Sequence, residues 1–368
     1  MIDLKDSPRQ KSSAKDSRTA LGAFSSITAA VRPWSLLALF LVAFGCGKEK
    51  EPESNPAPKT GAGSSTSSSA KAPAPLTTAE LDSAEKAARP YKLVLIVKTR
   101  NNPFFKPMIA AFESEAAAMG AQAEVQAPPQ ETDKEVQFGY VQTVTAKGAD
   151  AIIIAPADSK AIIPALKAAQ DKGLLVINLD NRVDKTEAGN QGLALGGYVG
   201  ADNEAGGKLA GESMVKALGG KGKVVIIEGI RGADNAEARK RGFEAGAKGL
   251  EIVGNESAEW DTEKANAKAS SLLAAHPDVT GIFCANDKMA IGAMKAVEQA
   301  GKRGKITVIG YDNIPDVQPA LKSGDMAATI EQHPDLMGKY GVRLAVSILN
   351  GKTQKGRELL VPLEVKGK

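Results

Sequence analysis

From about Tyr91 onward, short apolar runs rich in β-branched residues alternate with segments of helical period. The runs fall at 93–97, 151–155, 174–179, 224–227, 280–284 and 306–310, with weaker ones at 123–126, 196–199, 252–254 and 327–330. Apolar runs this short, bounded by polar and glycine-rich turns, read as buried strands. The segment 107–119 between the first two is amphipathic. Within 286–300, Ile291, Met294 and Val297 fall on one side of a helix, and Lys295, Glu298 and Gln299 on the other. Alternation of strand and helix predicts a parallel sheet covered by helices on both faces. There are too many strands for one comfortable sheet. The pattern therefore predicts an α/β chain folded as two doubly wound parallel-sheet lobes.

The pattern stops before Tyr91. Residues 1–33 are polar and basic, and an apolar segment then runs from Trp34 to Cys46. Its core of about eleven residues is too short to span a hydrocarbon layer of about 30 Å as a helix, but suits a signal peptide. The ending Ala43-Phe44-Gly45-Cys46 resembles a lipobox, in which cleavage leaves a lipidated cysteine. Ordinary cleavage and an uncleaved anchor are the alternatives. Residues 47–89 are rich in Ser, Pro, Ala, Lys and Glu and bury too little apolar surface to offset ordering, so they read as a disordered tether. The expected organisation is a signal peptide with lipobox-like end (1–46), a tether (47–89), a first lobe (90–201 with 333–361) and a second (202–332 with 362–368).

Charge is near balance, with 47 basic and 43 acidic residues, and much of the basic excess lies in the leading segment. No broad basic field argues for nucleic acid. The chain has two cysteines and two histidines, Cys46, Cys284, His276 and His333. That excludes a disulfide framework and leaves almost nothing for a zinc site or a histidine-based nucleophile. Cys284 lies within an apolar run and reads as a core thiol. No G-x-G-x-x-G follows a strand, and Gly206-Gly207-Lys208 lacks the rest of a P-loop. No metal or cofactor is expected.

What remains is a polar or aromatic group at the end of strand after strand. Lys98, Asn101, Asn102, Phe104 and Phe105 follow the first. Asp180, Asn181 and Arg182 follow 174–179, and Arg239 opens the helix after 224–227. Trp260, Asn286, Asp312 and Gln332 follow the later strands. Taken singly, Asp180, Asp287 and Asp312 read equally well as helix caps or turn formers, Trp260 as core and Arg239 as a solvated helix residue. Taken together they fall at one edge of the sheets, where open α/β folds bind ligands.

With these motifs in order, the chain from about Tyr91 resembles the periplasmic sugar-binding proteins of the ribose, allose and galactose type, which share their fold with the ligand domains of LacI-like repressors. The segments that carry the resemblance are Lys98 to Phe105, Asn178-Leu179-Asp180, Ile227-Glu228-Gly229, Glu237-Ala238-Arg239, Glu259-Trp260-Asp261, Cys284-Ala285-Asn286-Asp287, Gly310-Tyr311-Asp312, and Ala328-Thr329-Ile330 with Gln332. Allose binders are the most similar, because Lys98 stands where ribose binders carry a small hydroxyl residue and Trp260 where they carry Phe. The resemblance implies a periplasmic-binding-protein fold of type I with a multi-strand hinge. It implies ligand-binding roles for Lys98, Asn102, Phe104, Phe105, Asp180, Arg239, Trp260, Asn286, Asp312 and Gln332. Arg182 is a further candidate, since Asn181 occupies the place of an arginine that touches sugar in ribose binders.

A ring sandwiched by Phe105 and Trp260, with hydroxyls to the polar groups, suits a neutral monosaccharide or polyol, because Lys98 and Arg239 offset Asp180 and Asp312. The implied role is the non-enzymatic solute-binding component of an ABC importer. It would be a monomer exported to the periplasm or cell envelope, anchored by lipid at Cys46 and read by permease subunits in the membrane. A sensor that presents its closed form to a chemoreceptor or kinase is the alternative. A repressor would need an N-terminal helix-turn-helix, and residues 1–89 read otherwise.

Overall fold

The computed structural model describes residues 73–367. The signal peptide, the lipobox-like Cys46 and the tether up to residue 72 lie outside the described residues. The strands are β1 (Lys92–Ile96), β2 (Gln122–Gln126), β3 (Ala151–Ile154), β4 (Leu175–Leu179), β5 (Gly197–Gly200), β6 (Lys223–Glu228), β7 (Glu251–Ser257), β8 (Val279–Cys284), β9 (Thr307–Ile309), β10 (Ala328–Glu331), β11 (Arg357–Leu360) and β12 (Glu364–Gly367). The helices are α1 (Thr78–Asp82), α2 (Phe105–Ala118), α3 (Lys134–Lys147), α4 (Ile163–Asp171), α5 (Lys185–Asn190), α6 (Asn203–Ala217), α7 (Asp234–Gly246), α8 (Thr262–Ala275), α9 (Asp287–Gln299), α10 (Gln318–Ser323) and α11 (Pro334–Leu349).

Two six-stranded sheets form, in the orders β11-β5-β4-β3-β1-β2 and β12-β10-β9-β8-β6-β7. All neighbours are parallel except β12, which runs antiparallel to β10. Both sheets start in the middle, step outward to one edge and reverse, so each has a switch point, beside β1 in the first and β6 in the second. We call each sheet with its helices a lobe. The chain passes between lobes after β5, after β10 and after β11. The central strands are apolar without alternation because both faces are covered: Leu93, Val94, Leu95 and Ile96 of β1 are all fully buried. Cys284 is buried in β8, and His276 stands just past the end of α8.

Three sequence expectations change. The edge strands β11 and β12 carry Arg357, Glu358, Glu364 and Lys366, and the short run Leu359-Leu360-Val361 at the end of β11 is all that announces them. The disordered reading fails for residues 73–89. Thr77 and Glu80 form a capping box on α1, Leu76 and Leu81 are buried, and the Leu76 N–H donates to Glu358 O at 2.7 Å. Arg357 donates to Ala74 O and Pro75 O, and Arg343 to Leu81 O and Asp82 O, so the segment is fastened by side chains remote in sequence. On α9, the buried face is Met289, Ala290, Ala293, Ala296 and Val297, while Ile291 and Met294 are half-buried at its flank.

Small residues also set where α7 lies. A β-carbon on Gly207 of α6 would sit 2.1 Å from Arg239 O, and one on Gly242 of α7 2.0 Å from Glu204 O. Both contacts are to backbone, so the helices themselves would have to shift. Gly207→Ala should therefore cost about 1–3 kcal/mol of stability through overpacking, read as a lower urea midpoint with unchanged slope. A variant as stable as the parent would show that α6 and α7 tolerate separation.

Candidate ligand-binding site

In the first lobe, the turn after β1 is shaped by its own polar groups. The Thr99 hydroxyl and the Asn101 amide both donate to Pro129 O, at 2.9 and 2.8 Å. Asn102 accepts from the Phe104 N–H at 3.1 Å and donates to Glu131 Oε1 at 2.9 Å. Phe104 and Phe105 then meet edge to face, centroids 5.0 Å apart. After β4, the Asn178 amide donates to Asn181 O at 2.8 Å and its oxygen accepts from the Val183 N–H at 2.9 Å, folding the chain back on itself. This fold puts Asp180 at φ 55° with its carbonyl held by the Tyr198 hydroxyl at 2.8 Å. Asp180 Oδ2 then lies 3.3 Å from Lys98 Nζ, both side chains almost wholly buried.

In the second lobe, Arg239 projects from α7 and its guanidinium is fixed on all sides. It donates to Asn203 Oδ1 and Ala285 O at 2.8 Å each and to Gln332 Oε1 at 3.2 Å, and stacks on Tyr311 at 3.8 Å. Asp312 Oδ1 lies 3.6 Å from Arg239 Nη1 and accepts from Gln332 Nε2 at 2.7 Å. Burial pushes the Asp312 carboxyl well above its usual range, and Arg239 opposes this. Asp287 secures the same loop by accepting from Thr329 Oγ1 and the Ile314 N–H, at 2.8 and 3.0 Å. Its burial outweighs those bonds and pushes its carboxyl up to about 7. Asn286 caps α9, accepting from the Met289 N–H at 2.9 Å, which leaves its amide N–H groups for another partner.

Trp260 takes φ 64°, following Glu259 at 52°. Left-handed backbone is rare for a bulky residue and marks a position held by its surroundings. Its ring lies so close to Gly229 that a β-carbon there would sit 2.1 Å from it.

Lys98, Asn102, Phe104, Phe105, Asp180, Arg239, Trp260, Asn286, Asp312 and Gln332 line one small cavity, to which both lobes contribute. Arg182 does not. Its guanidinium makes two 3.1 Å bonds to Glu358 on β11 and stacks on Tyr198 at 3.6 Å, a bidentate pairing that draws it out of the cleft. The cavity also contains Glu131 and Asn235, which the sequence reading missed. Asn235 stands four residues before Arg239, on the same helical face, and that spacing could have revealed it. Glu131 follows the half-exposed edge strand β2 in a polar loop and gives no such signal. Burial pushes the Glu131 carboxyl upward, opposed first by Lys98 and then by Asn102. Asp180 Oδ1, Asn235 Oδ1 and Trp260 Nε1 are buried without a partner among the described residues. Buried polar atoms are nearly always paired, so these are positions where a ligand can bond.

The model of the periplasmic binding protein domain matches residues 93–353. The chain belongs to this family. It is 38% identical over 275 residues to the D-ribose/D-allose-binding protein of Pseudomonas aeruginosa, covering 73% of this chain and 85% of that protein. It is 34% identical over 270 residues to the D-allose-binding periplasmic protein of Escherichia coli, covering 72% and 86%. Among solved structures, a periplasmic solute-binding protein of an ABC transporter from Actinobacillus succinogenes with bound D-allose is 39% identical. It has a TM-score of 0.71 and covers 75% of this chain and 97% of that one. As a periplasmic binding protein, the chain has the two-sheet α/β fold that its family shares, and its relatives are named for binding rather than for catalysis.

Among the described residues Trp260 is the one tryptophan, so its placement can be read directly. Gly229→Ala should displace the ring, shift its fluorescence and weaken ligand binding at least tenfold with the fold retained. Unchanged emission and affinity would show that Gly229 does not seat the ring.

Proposed function

We propose that the protein is the sugar-capturing component of an ABC importer, and that the cavity takes one neutral monosaccharide of the ribose or allose kind. The observation that carries this reading is the pairing of charge. Each lobe brings a cation paired with a carboxylate, Lys98 with Asp180 and Arg239 with Asp312, both pairs buried. An anionic ligand would face Asp180, Asp312 and Glu131 out of water, an arrangement that desolvation and like charge penalise. Sugar hydroxyls donate and accept, which matches a lining that holds both free acceptors and free donors. Phe105 and Trp260 supply apolar faces for the C–H side of a ring.

Binding would draw the lobes together about the three connections, and the closed form is what permease subunits in the membrane would read. Export to the periplasm accords with the family. Lipid attachment at Cys46, with residues 47–72 as spacer, would keep the protein at the membrane surface, and two acyl chains suffice for stable anchoring.

Isothermal titration with a panel of neutral aldoses and polyols tests the reading. At least one should bind with a single site per chain, and binding of none would overturn it. Asp180→Asn and Arg239→Ala should each weaken the preferred sugar by about ten- to a hundredfold, because the first removes the charge from a hydrogen bond to the sugar and the second removes the bond. Lys98→Ser should leave the fold intact and move preference among the sugars. An unchanged ligand profile in that variant would contradict an allose-like site.

A further inference from the structure

Helix α7 carries Asn235 and Arg239 into the cavity, yet it has no cap of its own. Its N-cap residue is Ala233, without a side-chain oxygen. The neighbouring helices differ: α6, α8 and α9 are capped from within the second lobe by Asp202, Asp261 and Asn286. The first N–H groups of a helix have no intrahelical acceptor and need one from elsewhere. For α7 the acceptors come from the other lobe. Ser159 Oγ, in the loop after β3, accepts from the Asp234 N–H at 3.0 Å, and Asn181 Oδ1, in the loop after β4, accepts from the Asn235 N–H at 3.1 Å. Both acceptors are buried and fixed by their own lobe. The Asn181 amide donates to Pro156 O at 2.9 Å, and Ser159 O accepts from the Asp184 N–H at 2.8 Å.

We infer that Ser159 and Asn181 are positioning residues for ligand binding, because they cap α7 across the cleft and do so only when the lobes meet. Parting the lobes breaks both bonds and returns two helix N–H groups to water. The cap therefore adds to the closed state alone, and through α7 it fixes where Arg239 and Asn235 meet the ligand. Asn181 adjoins Asp180, so the loop that contacts the ligand also closes on the helix. This assigns a role to the residue standing where ribose binders place a sugar-touching arginine. The inference rests on the proposed hinged capture of a sugar.

The test is a double-mutant cycle on sugar affinity, with ligand-free thermal unfolding measured alongside. Ser159→Ala removes one acceptor. Asp234→Pro removes its donor, at a first helical position where proline is tolerated, and Ala233 already has the extended backbone (φ −78°, ψ 127°) that a following proline requires. Asp234→Ala keeps the N–H and controls for the lost carboxylate. Ser159→Ala should weaken sugar binding about fivefold in the parent and in the Asp234→Ala background, as expected for loss of a helix cap, and change nothing in the Asp234→Pro background. The ligand-free melting temperature should stay the same. An equal loss in both backgrounds, no loss in either, or a loss that appears as lower ligand-free stability would overturn the inference while leaving the sugar-binding reading in place. A parent protein that binds no sugar would overturn both.

Discussion

The molecule is organised around the burial of Lys98, Asp180, Arg239 and Asp312 in one small space. A single charge moved out of water costs several kcal/mol unless a partner and hydrogen bonds compensate it. Here compensation is arranged within each lobe, Lys98 against Asp180 and Arg239 against Asp312. Neither lobe has to expose a lone buried charge, and the lobes can part without separating a pair. Other features serve that arrangement. Asn178 and Tyr198 hold Asp180 in a left-handed turn, Asp287 ties down the loop of Asp312, and Gln332 bridges Arg239 to Asp312. Asp180, Trp260 and Asp312 all have positive φ. Such residues cost on the order of 1–3 kcal/mol each and persist where surrounding structure over-determines them, as it does here.

The fold explains how two halves distant in sequence supply one site. Both sheets wind in the same order, and each has its switch point beside a central strand, β1 or β6. Loops at the carboxyl ends of those strands and their neighbours face the crevice. Glycines between α6 and α7 let the helices approach until backbone meets backbone, which places Arg239. Glu131 adds a third carboxyl to the cavity, which burial pushes upward and Lys98 and Asn102 oppose.

Much of this was legible in the chain because burial on both faces leaves uninterrupted apolar runs. Leu93 to Ile96 and Ala151 to Ile154 carry the sheet in their composition. The edges were not legible, because β11 and β12 alternate charged residues with few apolar ones and are fixed by pairing to β5 and β10. The segment 73–89 reads as tether because it buries only Leu76 and Leu81 and is otherwise fastened by Arg343, Arg357 and Asn350, remote in sequence. At the site, residues on loops just after apolar strands could be placed. Arg182 is a candidate only because Asn181, beside it, stands where ribose binders place an arginine, but Glu358 on an unforeseen strand decides where it points. Ile291 and Met294 show the limit of periodicity, since the face of α9 that packs inward is made mostly of alanines.

The central claim is that paired buried charges and aromatic faces hold one neutral sugar. Mass spectrometry of the small molecule carried by the purified protein through gentle chromatography tests it without presupposing a ligand. The expected result is a single neutral pentose, hexose or polyol, one per chain. A phosphate ester, a carboxylate or an amino acid bound at that stoichiometry would contradict it.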